Sequence, residues 1–199
     1  MSISLVAGLG NPGREYANTR HNLGWVVLDA FAARRGLVWK TEPAFEAETA
    51  RWDHAPGGTC YLVKPQTYMN ESGRAVSALA RFYKVKPGAI TAVYDDLGLD
   101  LGRIKLSVDG SPGGHNGVAS LIEHLGNGFI RYRLGIGPKA PPQMDLKDFV
   151  LGTFTPEQAS LLQSSIDSYV SGLDLLLTNG VDRAMNILNR RAKNEPEQT

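Results

Sequence analysis

Apolar positions set the outline of the chain. Residues 3–7 form a short apolar run without helical spacing, the pattern of a buried strand. Leu23, Val26, Val27, Ala30 and Phe31 then repeat at helical spacing behind an N-cap at Asn22, and Gly36 closes the pattern after Arg34 and Arg35. Residues 45–52 alternate, 53–59 read as a turn and 60–64 are apolar again, which predicts a hairpin and therefore a mixed sheet. A second helix is predicted over 71–83, with Val76, Leu79, Ala80 and Tyr83 on one face. An apolar strand at 90–94 runs into Asp95 and Asp96, and residues 103–108 alternate before a glycine-rich turn. Gly113-Gly114-His115-Asn116-Gly117 opens a third helix whose Val118, Leu121, Ile122 and Leu125 share a face, and 130–137 read as a strand carrying Arg131 and Arg133.

The segment 138–147 holds three prolines, two lysines and no core-forming run, so it is expected to be a mobile loop, a lid over a site. Thr155-Pro156-Glu157-Gln158 has the form of a capping box with proline at the first helical position. It starts the longest predicted helix, with Leu162, Ile166, Tyr169, Val170, Leu173 and Leu177 inward. A final short helix carries Arg183, Arg190, Arg191 and Lys193. Strands alternating with helices predict an α/β fold, and 199 residues at 42% hydrophobic content suit one core. The expected organisation is one domain over 1–193 and a disordered tail over 194–199.

Composition narrows the function classes. A formal charge of +1 provides no global field for nucleic acid, so a polyanion would have to meet a local basic patch. No stretch approaches the roughly 20 apolar residues that span a bilayer, and no signal-peptide pattern opens the chain, which predicts a cytoplasmic protein. The single cysteine, Cys60, excludes an internal disulfide and lies in an apolar run as a buried thiol.

Gly8, Gly10 and Gly13 satisfy the dinucleotide fingerprint, but its context is missing. Pro12 precedes the third glycine, a polar loop delays the helix to Asn22, and the nearest downstream acid, Asp29, falls inside that helix. The four histidines and one cysteine have no structural-zinc spacing. His21, at a loop-to-helix junction in the same loop as Asn11, reads either as helix-start packing or as a catalytic base. Asp95 ends an apolar strand, where a carboxylate can hold a histidine Nδ1 proton, or it is a simple turn residue; Asp96 competes for the role. Asn70 and Asn116 each begin a helix and read individually as caps, yet with Asn11 they put three neutral amides near a histidine. No G-x-S-x-G elbow is present, so a bound water is the simpler nucleophile.

Six motifs in register carry a resemblance. Gly8-Leu9-Gly10-Asn11-Pro12-Gly13 with Tyr16, Thr19-Arg20-His21-Asn22-Leu23-Gly24, Lys64-Pro65 with Tyr68-Met69-Asn70-Glu71-Ser72-Gly73, Asp95-Asp96-Leu97, Gly113-Gly114-His115-Asn116-Gly117 and Arg133-Leu134-Gly135-Ile136-Gly137 resemble the bacterial peptidyl-tRNA hydrolases. The resemblance implies one α/β domain with a twisted mixed sheet flanked by helices on both faces. It also implies a monomer that needs no metal or cofactor and hydrolyses the ester between a peptide and the ribose of a tRNA dropped from the ribosome. By the same resemblance His21 is the base and Asp95 its orienting carboxylate. Asn11, Asn70 and Asn116 position water, carbonyl and peptide, while Tyr16, Tyr68 and Met69 adjoin the substrate. Lys105 and Arg133 match positions used on the tRNA phosphate. Ser107 stands where many members carry a further basic residue, which predicts modest tRNA affinity with a shallow salt dependence. A non-catalytic RNA-binding protein of this fold and a hydrolase of small N-acyl esters are the competing classes.

Overall fold

The computed structural model describes residues 2–191; Lys193 of the predicted final helix and the predicted tail at 194–199 lie outside them. In chain order the elements are β1 (Ser2–Gly8), α1 (Leu23–Arg34), β2 (Trp39–Glu42), β3 (Ala47–Ala55), β4 (Gly58–Pro65), α2 (Ser72–Phe82) and β5 (Ile90–Asp100). They continue with β6 (Ile104–Ser107), α3 (Asn116–Leu125), β7 (Ile130–Gly137), α4 (Leu146–Leu151), α5 (Pro156–Asn179) and α6 (Val181–Arg191). The seven strands form one sheet in the order β2-β3-β4-β1-β5-β7-β6. β4, β1, β5 and β7 run parallel, whereas β2, β3 and β6 pair antiparallel at the two sides, so the sheet is mixed as predicted.

Both faces of the central strands are covered, which is why these read as unbroken apolar runs, whereas one face at the β6–β7 side stays open. Val6, Val93 and Tyr132 face Val27 and Phe31 of α1, Tyr169 and Leu173 of α5 and Leu188 of α6. Their neighbours Leu5, Ala7 and Ala92 point the other way, into Val76 and Leu79 of α2 and Val118 and Leu121 of α3. Close approach requires glycine at two helix starts. A Cβ on Gly24 would stand 2.3 Å from the Val93 carbonyl oxygen, and one on Gly73 would stand 2.1 Å from the Ser120 carbonyl oxygen. Without those glycines α1 could not seat over the end of β5, nor α2 against α3.

Several boundaries differ from the sequence reading. β2 was not predicted, because its four residues carry no apolar alternation. The strand expected from residue 45 starts at Ala47, since Pro43–Phe45 form a 3₁₀ turn that Glu46 closes in the left-handed region at φ 48°. β5 continues past Asp95 to Asp100, held to β7 through a register shift between Asp96 and Asp100. The expected lid loop ends early, as Asp145 caps α4 by accepting from Lys147 N at 2.8 Å. The capping box at Thr155 forms as predicted. At the β6 edge, Asn189 of α6 places its side-chain amide on Leu106, accepting from its N–H at 2.8 Å and donating to its carbonyl at 3.0 Å.

Candidate active site

The chain leaves β1 toward β4 and comes back to β5 on the other side of β1, so the loops beyond these strands part and open a crevice at their carboxyl ends. A cleft of about 1340 Å³ fills it, larger than the roughly 300–1,000 Å³ of small-ligand pockets. The cleft collects Asn11 after β1, His21 before α1, Met69 and Asn70 after β4, Asp95 in β5 and Asn116 at the start of α3.

His21 sits in the 3₁₀ turn Arg20–Asn22, 7% exposed, with Nδ1 2.9 and 3.0 Å from the two carboxylate oxygens of Asp95. An ionised carboxylate only accepts, so Nδ1 carries the proton and Nε2 keeps its lone pair. No other hydrogen bond to the His21 ring occurs among the described residues. Asp95, 3% exposed, also accepts from His115 Nε2 at 3.1 Å. Burial alone would raise the Asp95 pKa, but the two imidazoles outweigh it and hold the carboxyl well below the ordinary range.

His115 is oriented from both sides. It is the N-cap of α3, and its Nδ1 accepts from Gly117 N at 3.1 Å and Val118 N at 3.3 Å. Backbone N–H groups can only donate, so Nε2 bears the ring proton and turns it to Asp95. His21, Asp95 and His115 each bring a ligand atom within 4.8 Å of one another, close enough for a metal ion to bridge. The hydrogen bonding opposes that use, because each imidazole presents a proton rather than a lone pair to the carboxylate.

His115 in the capping role frees Asn116, and Asn70, in the 3₁₀ turn Met69–Glu71, caps nothing either. Among the described residues neither side-chain amide has a protein partner, and both line the cleft. Asn11 is fixed more tightly. Its Oδ1 accepts from Met69 N at 2.7 Å, which leaves Nδ2 as a free donor. Its backbone is held by Asn22, which accepts from Asn11 N and donates to Asn11 O, both at 2.9 Å. Asn22 occupies the N-cap position of α1 as predicted, but its side chain does not cap. Sequence reasoning missed this role, and no local signal encodes a contact to a residue eleven positions back.

Asp96 does not compete for His21. Its carboxylate pairs with Arg133 Nε and accepts from Gly98 N at 2.8 Å. Lys105 stands directly opposite Arg133 in the β6–β7 register, and the next pair on that face is Ser107 and Arg131. Arg131 is buried and bonds the carbonyls of Gly110 and Ser111, which fixes the glycine loop before His115. Tyr68 is exposed at the cleft and Met69 is buried in its wall. Tyr16 is not among the lining residues; its carbonyl accepts from Thr19 N and Oγ1 inside the preceding turn.

Comparison with known proteins decides the family, because the sequence profile of peptidyl-tRNA hydrolase matches residues 5–197. The chain belongs to the peptidyl-tRNA hydrolase family. It is 43% identical over 197 residues to the peptidyl-tRNA hydrolase of Gloeobacter violaceus, covering 98% of both chains. It is 45% identical over 183 residues to that of Mycobacterium tuberculosis, covering 92% of this chain and 95% of the relative. The crystal structure of peptidyl-tRNA hydrolase from Acinetobacter baumannii superposes with a TM-score of 0.86 at 38% identity, covering 94% of each chain. The activity is therefore release of tRNA from peptidyl-tRNA, and the fold is the single α/β domain of the family. Among the described residues no helix is long and apolar enough to cross a membrane.

Proposed function

We propose that His21 is the general base of this hydrolysis and that water is the nucleophile. The observation that carries the reading is the His21–Asp95 pair, which keeps Nε2 unprotonated on a side chain that lines the cleft. Nε2 takes a proton from water as the water oxygen bonds to the ester carbonyl carbon. The tetrahedral oxyanion is met by amide N–H donors, Asn11 Nδ2 with Asn70 and Asn116. Collapse breaks the bond to the ribose 3′ oxygen, which recovers the proton from the imidazolium. No serine, threonine or cysteine side chain is hydrogen-bonded to His21 among the described residues, which supports direct attack without a covalent intermediate.

The uncovered sheet face bearing Arg133 and Lys105 continues the cleft and suits the tRNA phosphates, with Asp96 holding only Arg133 Nε. Tyr68 and Met69 form the wall beside the peptide, and Tyr16 shapes the turn that leads to His21. A translation substrate and a single unpaired cysteine support a cytoplasmic location. We infer that the role is recovery of tRNAs dropped by ribosomes.

The test is peptide release from an N-acetylated aminoacyl-tRNA by the wild type and His21→Ala, with the unacetylated tRNA as control. Release by the wild type alone, from the acetylated substrate alone, is expected; release by His21→Ala at the wild-type rate would remove the base assignment.

A further inference from the structure

We propose that Arg20 is a positioning residue, a strut that ties the turn holding His21 to the α4 wall of the cleft. The inference rests on the reading of His21 as base. Arg20 is 6% exposed and immediately precedes the histidine. Its backbone N–H donates to Gly152 O at 3.0 Å, beside an isolated strand bridge between Thr19 and Thr153. Its guanidinium reaches further. Nη1 donates to Phe149 O at 3.1 Å, on the last turn of α4, and Nη2 donates to Gln158 Oε1 at 2.8 Å, on the first turn of α5. The guanidinium carbon stands 4.3 Å from the Phe149 ring centroid and 5.2 Å from that of Phe154.

Two features set this arginine apart from a structural ion pair. No carboxylate pairs with it among the described residues, and burial lowers its pKa, so the fold keeps a desolvated cation without a countercharge. An apolar side chain would fill the space without that cost, but it could not bond two separate elements through one rigid plane. The second feature is what α4 carries. Phe149 faces the strut, while Leu146, Lys147, Val150 and Leu151 line the cleft. The guanidinium plane, together with the backbone bond to Gly152, thus ties the cleft wall to the turn that aims the imidazole.

Arg20→Lys keeps the charge and removes the fork. Amide exchange at residues 146–151 should quicken by about tenfold while β1 and β5 stay protected. On the N-acetylated aminoacyl-tRNA, kcat should fall by about tenfold, as expected for a small misplacement of a reacting group, with the shape of the pH–rate profile retained. Gln158→Leu, which removes one leg, should show the same pattern more weakly. Thr155→Ala removes only the hydroxyl that accepts from Gln158 N and keeps Gln158 Oε1 on both Arg20 and the residue 155 N–H, so it should leave both readouts unchanged. Faster exchange throughout the protein, or faster exchange in α4 with unchanged kcat, would overturn the proposal. Failure of the base reading is separate: an active His21→Ala enzyme would refute that assignment and leave the α4 exchange result standing.

Discussion

Asn22 grips Asn11 by both ends of one amide, its oxygen on the Asn11 N–H and its nitrogen on the Asn11 carbonyl, each at 2.9 Å. The side chain thereby acts like a neighbouring strand for one residue, at a point where the chain has just left β1. Asn22→Ala leaves both backbone groups of a 7% exposed residue without partners, and each such group costs about 1–3 kcal/mol. Urea unfolding should show a loss of about 2–4 kcal/mol. Asn22→Asp keeps the acceptor and should lose less. Peptide release should fall in both variants, because the Asn11 backbone that carries Nδ2 into the cleft loses its anchor.

Asp95→Asn removes an acceptor that two histidine N–H groups share. The new amide can accept through one atom only and turns donors at the other. His21 then loses the bond that fixes its tautomer, and kcat should fall by about 10²–10⁴-fold with little change in KM. The same carboxyl bears on acid stability. Its folded pKa is depressed, so its contribution is complete above the ordinary carboxylate pKa and is lost as pH falls toward the folded value. The stability difference between wild type and Asp95→Asn should be constant near neutrality and narrow below about pH 4, measured by urea unfolding across that range.

His115→Ala separates a supporting histidine from a reacting one. Both ring nitrogens of His115 are engaged, one by the α3 backbone and one by Asp95, so it has no lone pair to offer water. The variant should lose about 1 kcal/mol from the missing cap and keep more activity than His21→Ala. Equal inactivation of the two variants at full folding would contradict this division of labour.

How much of this was legible in the sequence depended on where the causes lie. β7 was predicted at its observed bounds and α5 began at its capping box, because apolar runs and cap residues are local signals. β2 escaped since its pairing with β3, rather than any pattern of its own, makes it a strand. Asn70 and Asn116 were ambiguous as helix-start residues until the structure gave the α3 cap to His115. Asn22 and Arg20 had the right residue types but partners eleven and more than a hundred positions away, which no spacing rule reaches.

Cys60 is a control for the core. Burial raises its thiol pKa to about 11, against partial opposition from Ser4 and Arg35. Iodoacetamide should therefore leave the folded protein unmodified at neutral pH and label it once unfolded, as read by mass spectrometry.

The Asn189 amide on Leu106 has a wider consequence. A sheet edge with free N–H and C=O groups recruits strands from other chains, most readily at the concentrations found in a cell. Here the outward-facing groups of Leu106, in a strand of four residues, are already occupied by a helix side chain. One asparagine thus blunts an edge that a longer strand would have left adhesive, and the face that holds Lys105 and Arg133 can stay uncovered without the sheet growing sideways into a neighbour.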